Sequence, residues 1–89
     1  MESTFVRRGD VSLKRTGDEA LLLDERNGQV HVLNGTAAEV WELCAGDSTV
    51  EGVATALASS YGLGQEAVRD DVENIVETFR ELGLLEPGT

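Results

Sequence analysis

The dipeptide Asn27-Gly28 constrains the fold of this chain more than any other feature of its sequence. It separates two short apolar segments, Ala20–Asp24 (ALLLD) and Gln29–Leu33 (QVHVL). Asn and Gly both tolerate positive φ, which the tight two-residue turns of β-hairpins require. The sequence therefore predicts an antiparallel hairpin across residues 20–33.

A further strand is predicted before this hairpin. In Asp10–Arg15 (DVSLKR), Val11 and Leu13 alternate with polar residues, which is the pattern of a half-buried strand. Turn-forming residues at 16–18 then lead into the hairpin. Three strands joined by short turns form a meander. Its last strand, Gln29–Leu33, is an edge with unpaired backbone groups unless another element covers it.

Three helices are predicted to follow the strands. The first should begin at the capping box Thr36–Glu39 and the second at the capping box Ser48–Glu51. The third should extend from about Gln65 to Gly83, and the glycines at 62 and 64 give the last two helices helix-turn-helix proportions. The predicted fold is therefore α+β and winged helix-turn-helix-like, with a three-stranded antiparallel sheet followed by three helices.

Each predicted helix has an apolar stripe at helical spacing, which is expected to face the core. Leu84 and Leu85 are expected to return to the core as a short tail. The stripes consist of Ala37, Val40, Trp41 and Cys44 in the first helix, Val50, Val53, Ala54, Leu57, Ala58 and Tyr61 in the second, and Val68, Val72, Ile75, Val76, Phe79 and Leu82 in the third.

The 89 residues suffice for one domain with a modest core. Residues 1–9 show no periodicity and are predicted to form a flexible N-terminus, followed by a single domain over residues 10–86. No apolar run approaches the roughly 20 residues that cross a bilayer, and the first residues lack a signal-peptide hydrophobic region. The single cysteine, Cys44, excludes an internal disulfide and fits a reducing compartment, so a cytoplasmic location is expected.

The charge of the chain argues against a nucleic-acid partner. With 17 acidic and 7 basic residues, the net charge is −10. A winged helix that reads DNA needs Lys, Arg, Asn or Gln on its last helix, because carboxylates there would face phosphates. The third helix instead carries Glu66, Asp70, Asp71, Glu73, Glu77 and Glu81. A winged-helix nucleic-acid-binding protein is the alternative from another class of function, and the acidic third helix argues against it.

The sequence offers few groups for catalysis, and no catalytic residue, metal site or cofactor is predicted. His31 is the only histidine and lies within a predicted strand without ligands at metal-binding spacing. Cys44 belongs to an apolar stripe, where a small buried residue is expected. Ser48 has the position of a carrier-protein serine at a helix start, but its role as N-cap explains it and the preceding strands do not suit an all-helical carrier.

The order and spacing of several segments resemble one known family. The hairpin leading into Leu33-Asn34, Thr36-Ala37 and Val40-Trp41 is the most specific part of this resemblance, which covers about residues 10–86. The segments are Leu21-Leu22-Leu23-Asp24, Gly28, Val32-Leu33-Asn34, Thr36-Ala37, Val40-Trp41, Thr49-Val50-Glu51 and Asp71-Val72 through Leu82-Gly83-Leu84-Leu85. Together they resemble the PqqD-like family, the recognition elements of ribosomally synthesized and post-translationally modified peptide (RiPP) biosynthesis.

The resemblance implies a winged-helix-like protein that binds the leader of a precursor peptide. The leader would add as a further strand to Gln29–Leu33, with side chains entering a groove beside the third helix. In that strand Val30 and Val32 share one face and His31 and Leu33 the other, so one pair alone can line the groove. The implied peptide-binding residues are Gln29, Val30, His31, Val32 and Leu33 on the strand and Asp70, Asp71, Val72, Glu73, Ile75, Val76 and Phe79 on the helix.

The resemblance also implies partners. The chain would act as a non-enzymatic adaptor that brings a precursor to a leader peptidase or another modifying enzyme, as in lasso-peptide systems. A chaperone of the pyrroloquinoline-quinone type, delivering a precursor to a radical enzyme, is the alternative within the family. No cofactor, nucleic acid or membrane is expected as a partner.

Overall fold

Five strands, three α-helices and one short 3-10 helix make up residues 4–88, the part of the chain that the computed structural model describes. The strands precede the helices except for the last, which is β5. The elements are β1 (Phe5–Arg7), β2 (Val11–Thr16), β3 (Glu19–Asp24), β4 (Gln29–Leu33), α1 (Gly35–Leu43), α2 (Val50–Tyr61), the 3-10 helix (Gln65–Ala67), α3 (Arg69–Glu81) and β5 (Leu85–Pro87).

The predicted three-stranded antiparallel sheet is confirmed. Its strand order is β2-β3-β4, and β4 has the predicted bounds, Gln29–Leu33. Gly28 has a φ of +64° in the turn between β3 and β4, as the hairpin signal requires. The three helices follow the sheet, so the predicted α+β fold class is confirmed as well.

A second, two-stranded sheet was not predicted. β1 pairs antiparallel with β5, and Phe5 is only 1% exposed. Arg8, directly after β1, is also buried. The prediction of a flexible N-terminus over residues 1–9 is therefore wrong for residues 5–8, while residues 1–3 lie outside the described residues. β1 and β5 have three residues each, which is too short for a strand period to show in the sequence. Neither strand could therefore be recognised from the sequence.

The helix starts differ from the predicted capping boxes. Asn34 caps α1, because its side chain accepts a hydrogen bond from the Ala37 amide at 2.8 Å. Thr49 caps α2 in the same way, accepting from the Gly52 amide at 3.0 Å. Both are favoured N-cap residues, and each lies one or two positions from the predicted residue. The region predicted to begin α3 is instead the 3-10 helix Gln65–Ala67, and α3 begins at Arg69.

The core lies between the three-stranded sheet and the helices. Its centre contains Leu22 from β3, Trp41 from α1 and Phe79 from α3. Leu84 and Leu85 return to it as predicted. Tyr61 and Leu82, which were predicted to face inward, are 48% and 40% exposed, because Tyr61 is the last residue of α2 and Leu82 follows the end of α3, where the packing ends. No helix within residues 4–88 has the length and apolar character needed to cross a membrane.

Candidate functional site

Strand β4 has a free backbone edge within residues 4–88. It pairs with β3 on one side, and it is the last strand of the sheet on the other. Its sequence, QVHVL, contains no Lys, Arg, Asp or Glu. Unpaired N–H and C=O groups on an uncharged edge can accept another strand.

A groove separates this edge from α3. Its volume is about 180 Å³, and its walls come from three elements. Leu33 lies at the end of β4, Ala37 in the first turn of α1, and Ile75 and Phe79 on α3. The full set of lining residues is Leu33, Ala37, Asn74, Ile75, Thr78 and Phe79. The groove is therefore mainly apolar, with the two polar residues both on the helix.

The core holds the helix side of the groove in place. Phe79 is 1% exposed and its ring meets that of Trp41 edge to face, with 5.3 Å between the centroids and an interplanar angle of 84°. This is a favourable arrangement of two aromatic rings. Ile75, one turn earlier, is only half-buried, so part of its side chain remains available inside the groove.

The alternation along β4 assigns its two faces, which the sequence left open. Leu33 is 8% exposed and lines the groove. Val30 and Val32 point to the opposite face and are 58% and 63% exposed. His31 shares the face of Leu33, is half-buried, and lies opposite Leu22 of β3. Gln29 is exposed at the start of the strand.

On α3, the structure separates the predicted apolar site residues into two groups. Ile75 and Phe79 line the groove, whereas Val72 and Val76 are fully buried core residues that do not. Three lining residues were missed by the sequence analysis: Ala37, Asn74 and Thr78. The sequence contains a signal for Asn74 and Thr78, because residues three or four apart on a helix lie on the same side. Thr78 is three residues after Ile75 and four after Asn74.

The three predicted carboxylates, Asp70, Asp71 and Glu73, are all exposed but lie on different sides of α3. Asp71 lies one turn before Ile75 and therefore on the groove side of α3. Glu73 is two positions from Ile75 and points away; its carboxylate is 3.6 Å from the Arg69 guanidinium. Asp70, next to Asp71, is in the first turn of α3, where a negative charge interacts favourably with the helix dipole.

A buried ion pair ties the β3–β4 turn to the end of α3. The Arg8 guanidinium donates to the Asp24 carboxylate at 2.9 Å and to the Gly83 carbonyl at 2.8 Å. The Asn27 side-chain amide donates to the same carboxylate at 2.9 Å. The hydrogen bond from Asn27 and that from Arg8 lower the pKa of Asp24 to about 2. The cluster thus fixes one end of β4 relative to α3.

The remaining candidates for chemistry are the single cysteine and a metal site. Burial raises the pKa of the Cys44 thiol to about 11, so at neutral pH this residue is a protonated thiol in the core rather than a thiolate. Residues 4–88 bring together no group of three or more His, Cys, Asp or Glu side chains that could hold a metal ion.

Solved structures with a similar fold include proteins that recognise leader peptides. TbiB1, in complex with the TbiA(beta) leader peptide, is 20% identical with a TM-score of 0.74, covering 91% of this chain and 94% of that one. The PqqD part of Methylobacterium extorquens PqqCD, a functional and stand-alone RiPP recognition element, is 20% identical with a TM-score of 0.76, covering 93% and 88%. Lasso peptide synthetase B1, complexed with the leader peptide, is 28% identical with a TM-score of 0.69, covering 93% and 98%.

No curated protein matches the chain in a direct sequence search. The comparison with family models does find a match, and it agrees with the fold. Residues 19–85, well over half of the chain, match the family model described as Coenzyme PQQ synthesis protein D (PqqD). This match includes the β3–β4 hairpin, all three helices and the groove between β4 and α3. The chain therefore belongs to the PqqD family.

Proposed function

We propose that this chain is a non-catalytic RiPP recognition element, an adaptor that captures the leader of a ribosomally made precursor peptide. The leader adds as a strand to the free edge of β4, and the adaptor presents it to a leader peptidase or another modifying enzyme. Ribosomal precursors are made in the cytoplasm, so the proposal places the chain there.

The observation that carries the proposal is the position of an open strand edge beside an apolar groove. Backbone hydrogen bonds to an edge strand supply affinity for any extended peptide, and pockets for alternate side chains supply selectivity. β4 provides the edge, and the groove formed with α3 provides one such pocket. An extended leader turns every second side chain toward the groove.

The groove side chains suggest what the leader presents. Leu33, Ile75 and Phe79 favour an aliphatic or aromatic leader residue, because apolar burial there removes surface from water. Asp71 lies one turn along α3 and would face a basic residue. An exposed pair of this kind contributes only about 0.2–1 kcal/mol, so it adjusts the choice of leader more than the strength of binding.

Membership of a lasso-peptide system is the more specific part of the proposal. It is supported by lasso peptide synthetase B1, which matches nearly the whole chain at 28% identity and was solved with a leader peptide. In such a system the enzyme that receives the captured precursor is a leader peptidase.

The test is isothermal titration of the chain with the precursor leaders encoded beside its gene. A leader should bind with a Kd in the micromolar range or below. A leader with N-methyl groups at the positions that hydrogen-bond to β4 should lose most of this affinity, whereas N-methylation at the intervening positions should matter little. If no neighbouring leader binds, or if both sets of N-methyl peptides bind equally well, strand addition to β4 is wrong.

A second candidate function is favoured by the family model itself, which is named for pyrroloquinoline quinone synthesis. In that case the chain is a chaperone that delivers a precursor to a radical enzyme. The same titration distinguishes the two, because the leader that binds comes either from a lasso precursor or from the precursor of the quinone cofactor.

A further inference from the structure

Strand β4 lies between two Asn-Gly dipeptides, Asn27-Gly28 before it and Asn34-Gly35 after it. An asparagine followed by glycine is the one most readily converted without an enzyme, because glycine has no side chain to shield its backbone nitrogen from the asparagine Cγ. Both asparagines are exposed. The same reaction is therefore open to both ends of the strand, and the local structure decides which asparagine reacts.

The reaction is a cyclisation followed by hydrolysis. Hydroxide removes the proton from the glycine backbone nitrogen, and this nitrogen attacks the asparagine Cγ to close a five-membered imide. The bond from Cγ to Nδ2 breaks, and Nδ2 takes a proton from water and leaves as ammonia. Water then opens the imide. Attack at Cγ gives aspartate, whereas attack at the main-chain carbonyl gives isoaspartate, in which the chain runs through the side-chain carbon.

The peptide between Asn34 and Gly35 is held by the first turn of α1. The Asn34 side-chain oxygen accepts from the Ala37 amide at 2.8 Å, and the Asn34 main-chain carbonyl accepts from the Ala38 amide at 3.0 Å. The imide forms only when this peptide plane rotates and the side chain turns toward Gly35. Both hydrogen bonds, and with them the N-cap of α1, must break first, which raises the barrier.

The peptide between Asn27 and Gly28 is less restrained. Neither the Asn27 carbonyl nor the Gly28 amide is among the groups joined by turn and loop backbone hydrogen bonds within residues 4–88. A Cβ built on Gly28 would meet nothing within 4 Å, so the space beside the attacking nitrogen is open. The Asn27 side-chain amide donates to the Asp24 carboxylate at 2.9 Å. Reaction at Asn27 breaks this side-chain bond, whereas reaction at Asn34 breaks a side-chain and a backbone bond.

Conversion of Asn27 changes the loop that positions β4. The Asn27 amide donates to the same Asp24 carboxylate that binds the buried Arg8 guanidinium. A carboxylate at residue 27 donates no hydrogen bond and repels Asp24. In the isoaspartate form the main chain is also one carbon longer within the loop. Loop length fixes the pairing of the two strands, in which Asp24 lies opposite Gln29.

We propose that Asn27 is a site of spontaneous conversion to isoaspartate and that this conversion ends leader capture by β4. The released ammonia is not recaptured, so the change is one-way and accumulates with the age of the molecule. The modification itself does not depend on what the chain binds, whereas its effect on leader affinity rests on the proposed function.

The test follows the full wild-type chain during incubation at mildly alkaline pH, where the Gly28 nitrogen loses its proton more readily. Anion exchange separates the converted chain, which has an additional negative charge. Peptide mapping by mass spectrometry locates the converted residue, and electron-transfer fragmentation distinguishes isoaspartate from aspartate. We expect conversion at Asn27 to be about fivefold faster than at Asn34, the factor that one additional hydrogen bond supplies.

Isothermal titration with the precursor leader encoded beside the gene then compares the separated isoaspartate form with the fresh chain. The affinity of the isoaspartate form should fall about tenfold, and amide hydrogen exchange in β4 should accelerate. The matched control is Asn27→Gln, which keeps a side-chain amide but forms the corresponding six-membered imide far more slowly. The charge and the leader affinity of this variant should stay constant through the same incubation.

Each other outcome overturns the inference. An unchanged charge of the wild-type chain, or faster conversion at Asn34 than at Asn27, removes Asn27 as the reactive residue. An isoaspartate form that binds the leader as tightly as the fresh chain, or that exchanges its β4 amides no faster, removes the effect on the strand. If the fresh chain binds no leader at all, the proposed function fails and the effect on capture fails with it. Failure of the modification is distinguished from this result by the peptide map, which needs no leader.

Discussion

The two edges of the three-stranded sheet differ in charge although they belong to the same small structure. β2 carries Lys14 and Arg15, both exposed, and the Arg15 guanidinium donates to the Glu42 carboxylate of α1 at 2.9 Å. β4 has no such charges. Charged side chains on an edge strand, Lys above all, are a common protection against pairing with another chain. The difference indicates that charge protects the β2 edge of this sheet and does not protect the β4 edge.

The surroundings of the two edges differ as well. The groove formed with α3 lies beside β4, and the buried Arg8–Asp24 pair holds the turn that precedes β4 against the end of α3. An open edge alone would pair with any strand. An open edge beside a shaped apolar groove selects among them, which is the requirement for recognising one leader.

The substitution Ile75→Asp should have the largest effect, because it removes the feature that distinguishes β4 from β2. It replaces an apolar wall of the groove by a carboxylate that a bound leader would bury without a partner. Leader affinity, measured by isothermal titration, should fall about 100-fold or more. The matched control is Ala56→Asp, which adds the same charge at an exposed position of α2. If Ile75→Asp folds and binds the leader normally, the groove is not part of the site.

The substitution Asp24→Asn should affect both edges at once, because Asp24 lies opposite Val11 of β2 and Gln29 of β4. It leaves the buried Arg8 guanidinium without its anionic partner, and breaking such a pair is strongly destabilising. We expect Tm to fall by about 10 °C. Hydrogen exchange should accelerate in β2 and β4 alike. Faster exchange in β4 alone would mean that the Arg8–Asp24 pair stabilises the β4 edge selectively.

The same residue predicts the acid dependence of stability. The pKa of Asp24 is lowered to about 2 in the folded chain, with the Asn27 hydrogen bond as the largest cause and Arg8 next. A lowered pKa contributes stability that is fully present above the unfolded-state value near pH 4 and is lost as pH falls toward about 2. Urea unfolding between pH 5 and pH 2 should therefore show a difference between wild type and Asp24→Asn that narrows as the pH falls. A constant difference would contradict this origin.

The double variant Lys14→Thr and Arg15→Thr should make β2 resemble β4. Threonine keeps the strand preference while removing the charges that discourage pairing. We expect a several-fold increase in self-association at high concentration, measured by light scattering after gel filtration. The control Lys14→Arg and Arg15→Lys keeps both charges and should remain like wild type. Equal behaviour of the two variants would show that charge does not protect this edge.

The sequence predicted the open edge better than the groove beside it. Asn27-Gly28 and the apolar alternation are local signals, and they placed β4 at its observed bounds. The groove depends on how α3 is rotated and how far it lies from β4, which tertiary packing decides. Periodicity identified Val72, Ile75, Val76 and Phe79 as inward-facing but could not tell which of them reach the groove. Strands β1 and β5 were missed because they pair across nearly the whole chain.

The smallest effect is expected from Glu42→Gln, which removes the ionic partner of Arg15 but keeps Arg15 itself. Both side chains are about half exposed, at 48% and 47%. Exposed pairs of this kind are screened by water and salt, so the free energy of unfolding should fall by only about 0.5 kcal/mol. This difference should shrink further when urea unfolding is repeated in high salt.

This variant separates two explanations of the protected edge. If the charge on β2 prevents pairing, Glu42→Gln leaves Arg15 and Lys14 in place and self-association should not increase. If the contact between Arg15 and α1 covers the edge, the variant should associate as the double threonine variant does. Because an exposed pair holds its side chains only weakly, we expect the first result, in which charge alone protects the β2 edge from pairing.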